Sequence, residues 1–520
     1  SAGRLKDEPG ALGSSPLPLP TPTRGDFKLK LAHRRLITFA LLLSNIMAGM
    51  DGTIVNTALP AITSALHGLQ YTGWIVATFL FGMSVATPFW SKFGEHKGNR
   101  VAYVTATTLF GLGAIFQAQA PSITWFIIAR TLMGIGAGGM NTIPFIVFAH
   151  LYPDLKQRSQ VVGLASASFG TASIIGPLLG GWIVDNLTWH WVFYVNLPVA
   201  VVAIAVVGLF YREQKGAAAG RQIDYRGGTC LVAGLTMLLC AIELVGTSPL
   251  WLVALLLVAS GLTLYLLGKV EAGAADPIVP NRLFKNRELM VDFTLFVIIW
   301  GSFIAFVTYV PMWAQGVLGL SALIGGVTQI PGAFTDFIGS ELVPYIQHRV
   351  AKYTLVLVGV LCILVAFLGI LLCGQHTSFG LLLFLGSFEG FGVGMIFNLL
   401  QVSVQTDVAV EDVPIATSLA YLVRILSQTM MSAVYGVILN LSLSHGVATH
   451  HGITLTMLNE LSNAQTAKHL PKALLPEMRR ILYSGYYNIV IAAFVLIVIS
   501  LVLVLVVRRR QGGKKGANPA

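Results

Sequence analysis

The chain has 520 residues, 55% of them hydrophobic and only 11% charged, with a mean hydropathy of +0.76. A soluble globular protein carries about 25% charged residues, so the composition excludes that class and points to an all-α polytopic membrane protein. The net charge of +11 would suit nucleic-acid binding, but its placement along the chain argues against that partner.

In chain order, residues 1–35 are expected to form a disordered cytoplasmic tail, with the proline-rich "GSSPLPLPTPTRG" at 13–25. Apolar runs of bilayer length follow near 36–58, 72–90, 101–119, 123–149, 159–184, 191–211, 228–247, 250–268, 291–313, 321–345, 353–373, 378–402, 414–441 and 485–507. These predict 14 transmembrane helices. The first run is too long for a cleavable signal peptide and lacks a cleavage motif. The 54 glycines suit close helix approach. Cys230, Cys240, Cys362 and Cys373 all fall in apolar runs and read as small core residues, with no disulfide framework. A long extracellular segment is expected at 442–484 and a basic cytoplasmic tail at 508–520.

Lysine and arginine alternate between loops. Lys92, Lys97 and Arg100, then Lys156 and Arg158, then Arg212, Lys215, Arg221 and Arg226 would share one side with Lys269, Arg282, Lys285, Arg287, Arg349, Lys352 and both tails. Most of the intervening loops hold neither residue. The positive-inside rule then places both termini in the cytoplasm of a multi-pass cell-membrane protein, and topology accounts for the net charge. No nucleic acid is needed as a partner.

A few charges fall inside the apolar runs, where they are costly and mark function. Asp51 lies in "GMDGTIVNTALP" (49–60), about 10 Å from the far end of its run at 1.5 Å per residue. Arg130 lies at the same depth in the fourth run, so the two are expected to sense each other; Ser44 extends a polar stripe on the Asp51 face. Glu389 and Arg424 match in depth and have two readings: the lining of a substrate cavity with Tyr421, Gln428, Asp336 and Asn141, or a structural ion pair joining two helices. Glu243 and Asp292 lie close to the ends of their runs, where hydration or snorkelling would satisfy them. His445, His450 and His451 lack a carboxylate or cysteine at metal-ligand spacing, and no nucleotide-binding motif occurs, so neither metal nor cofactor is expected.

Several motifs carry a family resemblance. "SKFGEHKGNRV" (91–101) resembles the loop signature of the major facilitator superfamily, with Glu95, Gly98 and Arg100 at its acidic, glycine and basic positions. "RTLMGIGAGGMN" (130–141) resembles the family's Arg-x-x-Gln-Gly-x-Gly helix, with Met133 at the glutamine position. "ASIIGPLLGGW" (172–182) is similar to the signature of drug:proton antiporters through Ala172, Gly176, Pro177, Gly180 and Gly181. "MDGTIVNTALPAI" and "WHWVFYVNLP" (189–198) match the same group, His190 standing where arginine is usual. The chain thus resembles the fourteen-helix, QacA-like and EmrB-like branch.

The resemblance implies a major facilitator fold: two six-helix bundles at 36–211 and 291–507, with spans 7 and 8 inserted within 212–290. It implies a conformational latch at Glu95, Gly98 and Arg100. Proton coupling is expected, from their place inside the apolar runs, at Asp51 set between desolvation and Arg130, with Glu389 the next candidate. The expected function is proton-coupled export of hydrophobic, cationic drugs or toxic compounds by a monomeric, non-enzymatic antiporter in the lipid bilayer. The partners are then a small-molecule substrate and protons. Export of one natural metabolite, lipid or amino acid is the alternative. A receptor or scaffold would need a signalling domain, and none is visible.

Overall fold

The computed structural model describes residues 31–152, 154–212, 225–245, 248–273, 283–409 and 413–516. The expected tail before residue 31, Arg221 and the acidic pair Glu411 and Asp412 lie outside them, as do the side chains of Glu95, Lys156 and Arg158.

The described chain is helical: α1 (Leu31–Ala65), α2 (Thr72–Lys97), α3 (Asn99–Ala118), α4 (Ile123–Leu151), α5 (Leu155–Asn186), α6 (Trp191–Tyr194), α7 (Asn196–Phe210), α8 (Tyr225–Glu243), α9 (Leu250–Gly273), α10 (Arg287–Gly316), α11 (Ala322–Val327), α12 (Ile330–Ile346), α13 (Lys352–Cys373), α14 (Phe379–Thr406), α15 (Val413–Thr449), α16 (Leu455–Leu461) and α17 (Leu475–Gly516). Helices satisfy their own backbone groups, which hydrocarbon requires. Where loops meet helices, polar side chains take the first free N–H groups: Ser122 accepts from Trp125, Asp154 from Gln157, Ser321 from Ile324 and Ser378 from Leu381.

Among the described residues eleven helices are long and apolar enough to cross a membrane. α5, the short α8 and the broken pair α11–α12 occupy three further predicted runs. The tenth run breaks at Thr328–Gln329 because Gly325 and Gly326 precede it and Pro331 starts a new helix. The sixth breaks near Val195, where Pro198 lacks the N–H that would continue the ladder. Several helices outrun their apolar cores. α15 continues to Thr449 and α17 starts at Leu475, so both ends of the predicted segment 442–484 are helix extensions, with α16 between; the basic end of α17 stays helical to Gly516.

α1–α7 pack mainly on one another, as do α10–α15 and α17, while α8 and α9 pair and α8 rests on both α2 and α15. Glycine sets the closest crossings. A Cβ on Gly134 or Gly138 would strike the α2 backbone at Phe79 or Met83, and one on Gly390 the α12 backbone at Gly332. The four cysteines are free and half-buried. The end of the molecule bearing the tails is the tail face; the opposite end, with residues 66–71 and α16, is the far face.

A buried ion pair and the far-face seam

Asp51 on α1 and Arg130 on α4 meet inside the first half. Arg130 Nη1 donates to Asp51 Oδ2 at 2.8 Å, and the two side chains are 3% and 0% exposed. Asn196 of α7 donates to the other carboxylate oxygen at 3.3 Å. The guanidinium lies 4.0 Å over the Phe79 ring, and Gly134, one turn past Arg130, lets α2 approach that closely. Arg130 Nε is buried without a partner, so the pair is satisfied incompletely. Desolvation works against both charges while their mutual attraction favours them. Removing or neutralising one changes the balance for the other. Below the pair, Tyr103 donates to Ser44 at 2.6 Å, closing the predicted polar stripe. Sequence reasoning missed Asn196 and Phe79 as partners; Asn196 lies within "WHWVFYVNLP", whose polar residue gave the available signal.

The second expected pair does not form. Arg424 stacks on Phe397 at 4.8 Å, Tyr421 at 5.3 Å and Trp300 at 5.4 Å, and makes no ion pair with Glu389. Depth matched, but the guanidinium points into an aromatic cage. Glu389 is buried, its Oε1 unpartnered, with Oε2 beside Gly332 of α12. Asp336, one turn beyond Gly332, lies within electrostatic reach of both Glu389 and Arg424. Arg424, Tyr421, Asp336 and Asn141 are partly open, Gln428 is nearly buried, and Asn141 Nδ2 contacts the Met83 sulfur at 3.3 Å.

The expected hydration of Glu243 and Asp292 is also overturned, because both are buried. Asp292 pairs with Lys352 at 2.8 Å and accepts from Ser403 at 2.5 Å, while Asp407 joins at 3.5 Å from the same lysine. This network ties α10, α13 and α14 together near the tail face.

Among the described residues, the hydrogen bonds joining the halves cluster at the far face. Gln315 of α10 donates to the Thr57 carbonyl at 3.0 Å. Asp185, at the end of α5, accepts from the Ala322 and Leu323 amides of α11 at 3.1 and 2.8 Å. α16 reaches across with Asn459 accepting from the Leu69 amide at 2.7 Å and, just beyond it, Ser462 donating to the Pro60 carbonyl at 3.2 Å. The small-residue face of α5 makes this fit possible. Ala172 is fully buried, a Cβ on Gly176 would strike Thr53, one on Gly180 Ile54, and one on Gly181 the backbone of Ala322 and Leu323. The Pro177 carbonyl packs against Gly326. The structure is therefore closed at the far face.

At the tail face, Gly98 alone separates α2 from α3, with φ +95° and its amide donating to the Gly94 carbonyl at 2.9 Å. Only glycine adopts this backbone without strain of about 1–3 kcal/mol. Gly98→Ala should therefore lower the melting temperature of the purified protein by several degrees while leaving helix content unchanged by circular dichroism. Arg100 is exposed, and the Glu95 side chain lies outside the described residues.

Comparison with known proteins yields three kinds of match. Residues 41–432 fit the sequence profile described as Major Facilitator Superfamily. The chain is 30% identical to "Multidrug transporter protein MdtP" of Bacillus subtilis (strain 168) over 79% of this chain and 76% of that protein. It is 28% identical to "Rubrofusarin-specific efflux pump aurT" of Gibberella zeae over 84% of this chain and 83% of that one. Among solved structures, a bacterial homologue of the human lysosomal transporter Spinster, inward-facing and occupied, aligns with TM-score 0.59 at 15% identity, covering 92% of this chain and 97% of that one. The D-xylose-proton symporter aligns with TM-score 0.57 at 13% identity, covering 78% and 90%. At such identities the likeness concerns the fold.

Proposed function

We propose that this chain, which belongs to the major facilitator superfamily, is a proton-coupled exporter of hydrophobic, cationic compounds. Membership makes it a transporter and not an enzyme. The finer reading has fourteen spans in the membrane, counting α5, α8 and α11–α12, with the tail face cytoplasmic. The closed far face then corresponds to an inward-facing state, ready to load substrate from the cytoplasm, and rocking of the halves exposes the site alternately.

The observation that carries proton coupling is the Asp51–Arg130 pair with its unpartnered Nε. A carboxyl set between desolvation and one incompletely satisfied cation can take up and release a proton as water access changes. One proton entering down ~100 mV supplies about 2.3 kcal/mol, and each pH unit about 1.4 kcal/mol. In the second half, Glu389 and Asp336 supply acidic groups and the aromatics around Arg424 supply flat apolar faces, a combination suited to a lipophilic cation. The names of the relatives, multidrug transporter and efflux pump, support export. A second reading, export of one natural metabolite, is favoured by the fungal relative named for a single compound.

Purified protein in liposomes, given a pH difference and a panel of cationic dyes and neutral metabolites, tests the proposal. Uphill movement of several unrelated dyes supports it. Uphill movement of a single metabolite supports the alternative, and downhill movement only would refute coupling.

A further inference from the structure

α8 carries a stripe that neither the motifs nor the transport reading uses. Leu231, Leu235, Leu239 and Glu243 recur every fourth residue and share one face. Leu239 packs with Ala77 of α2 and Ala433 of α15, and Leu231 and Leu235 form a cluster with Phe81 and Val85 of α2 and Leu426 of α15. α8 therefore lies along the seam between the halves instead of standing apart from it.

The stripe ends in a carboxyl placed at a close backbone crossing of that seam. A Cβ built on Gly73 of α2 would sit 2.7 Å from the Gly436 Cα of α15, so the two backbones touch. Glu243 Oε1 lies 3.1 Å from that Gly73 Cβ position and 3.8 Å from the equivalent position on Gly436. Glu243 is 7% exposed, its Oε1 has no hydrogen-bond partner, and among the described residues no base pairs with it. As the last residue of α8 it also faces the negative end of the helix dipole. Both circumstances oppose a charge there.

The other titratable groups nearby do not offset this. Tyr309 of α10 is within electrostatic reach, its hydroxyl likewise unpartnered, and Cys240 precedes Glu243 by three residues. Tyr435 of α15 donates to the Gly301 carbonyl. α2 offers no titratable side chain before Lys92, and α9 none before Tyr265.

We infer that Glu243 is a second proton-binding site, a pH-sensitive clasp through which α8 holds the α2–α15 seam shut while the carboxyl is neutral. When the seam parts, water reaches the carboxyl and its proton leaves to that water as the group ionises. Higher pH thus favours the open far face and lower pH the closed one. The inference rests on the alternating-access reading for what the opening accomplishes, but not on Asp51 as the coupling site.

The test measures distances between spin labels at Gln119 and Gln375, exposed far-face positions of the two halves, after replacing the four native cysteines with alanine. Full-length protein in lipid is titrated from about pH 5 to about pH 9, where buried carboxyls titrate. The open-to-closed ratio should rise with pH by up to about tenfold per unit, the limit for one proton. Glu243→Gln, nearly isosteric and always neutral, should remove the Glu243 share of the rise and shift the ratio toward the closed form. Glu243→Asp should keep it, and Asp51→Asn should leave it intact even when transport fails. A pH-independent ratio in the unaltered protein, or an unchanged rise in Glu243→Gln, would overturn the clasp. So would a rise lost in Asp51→Asn and kept in Glu243→Gln.

Discussion

Asp51→Asn is expected to leave a folded, substrate-binding protein that no longer accumulates substrate against a gradient. With one proton exchanged per cation, the unaltered protein should sustain a ratio of about tenfold per pH unit; the variant should fall to unity. Asparagine keeps the size of the acid and its one oxygen can still accept from Arg130 Nη1, while its amide replaces the oxygen that accepted from Asn196; it cannot release a proton. Thermal stability separates this account from a purely structural ion pair. If Asp51 and Arg130 were charged throughout the cycle, removing one partner would leave a buried charge uncompensated, costing about 3–5 kcal/mol. A site that already passes through a neutral acid tolerates the neutral amide, and the loss should stay near 1 kcal/mol, the size of one hydrogen bond. Large destabilisation with retained pumping would reverse the assignment.

Gly176→Leu should abolish transport for a different reason. Even a Cβ at this position meets the Thr53 hydroxyl and lies 3.1 Å from the Met50 carbonyl, two residues of α1 that flank Asp51. Leucine adds three more carbons to a crossing with no space for one. Overpacking costs about 1–3 kcal/mol where neighbours can shift; here the shift would push α1 from α5 and move Asp51 relative to Arg130. Transport should fall at least tenfold, while Gly261→Leu, at a position open on all sides, should transport normally. Equal activity of the two variants would remove the close-contact role of α5.

The small-residue face of α5 was legible because its period of four is local: spacing alone puts Ala172, Gly176 and Gly180 on one line. The proximity of Asp51 and Arg130 was legible because depth along a span follows from counting residues. The same counting failed for Glu389 and Arg424, since depth gives height and not azimuth; the Arg424 side chain turns toward Trp300 and Phe397. It failed again for Glu243. Nearness to a helix end says nothing about lateral neighbours, and Gly73 and Gly436 close over the carboxyl from two distant stretches of chain. Asp292 went astray in the same way, its partner Lys352 lying 60 positions on. The break between α11 and α12 had a local signal in Pro331, which a hydropathy window averages away.

Coupling works in both directions, so substrate must be able to move protons just as protons move substrate. The most direct measurement encloses a pH-sensitive dye in proteoliposomes with no imposed gradient and adds a transported cation outside. The account predicts proton movement opposite to the cation from the unaltered protein and none from Asp51→Asn. Cation uptake without any change in internal pH, or equal proton movement from both proteins, would contradict it.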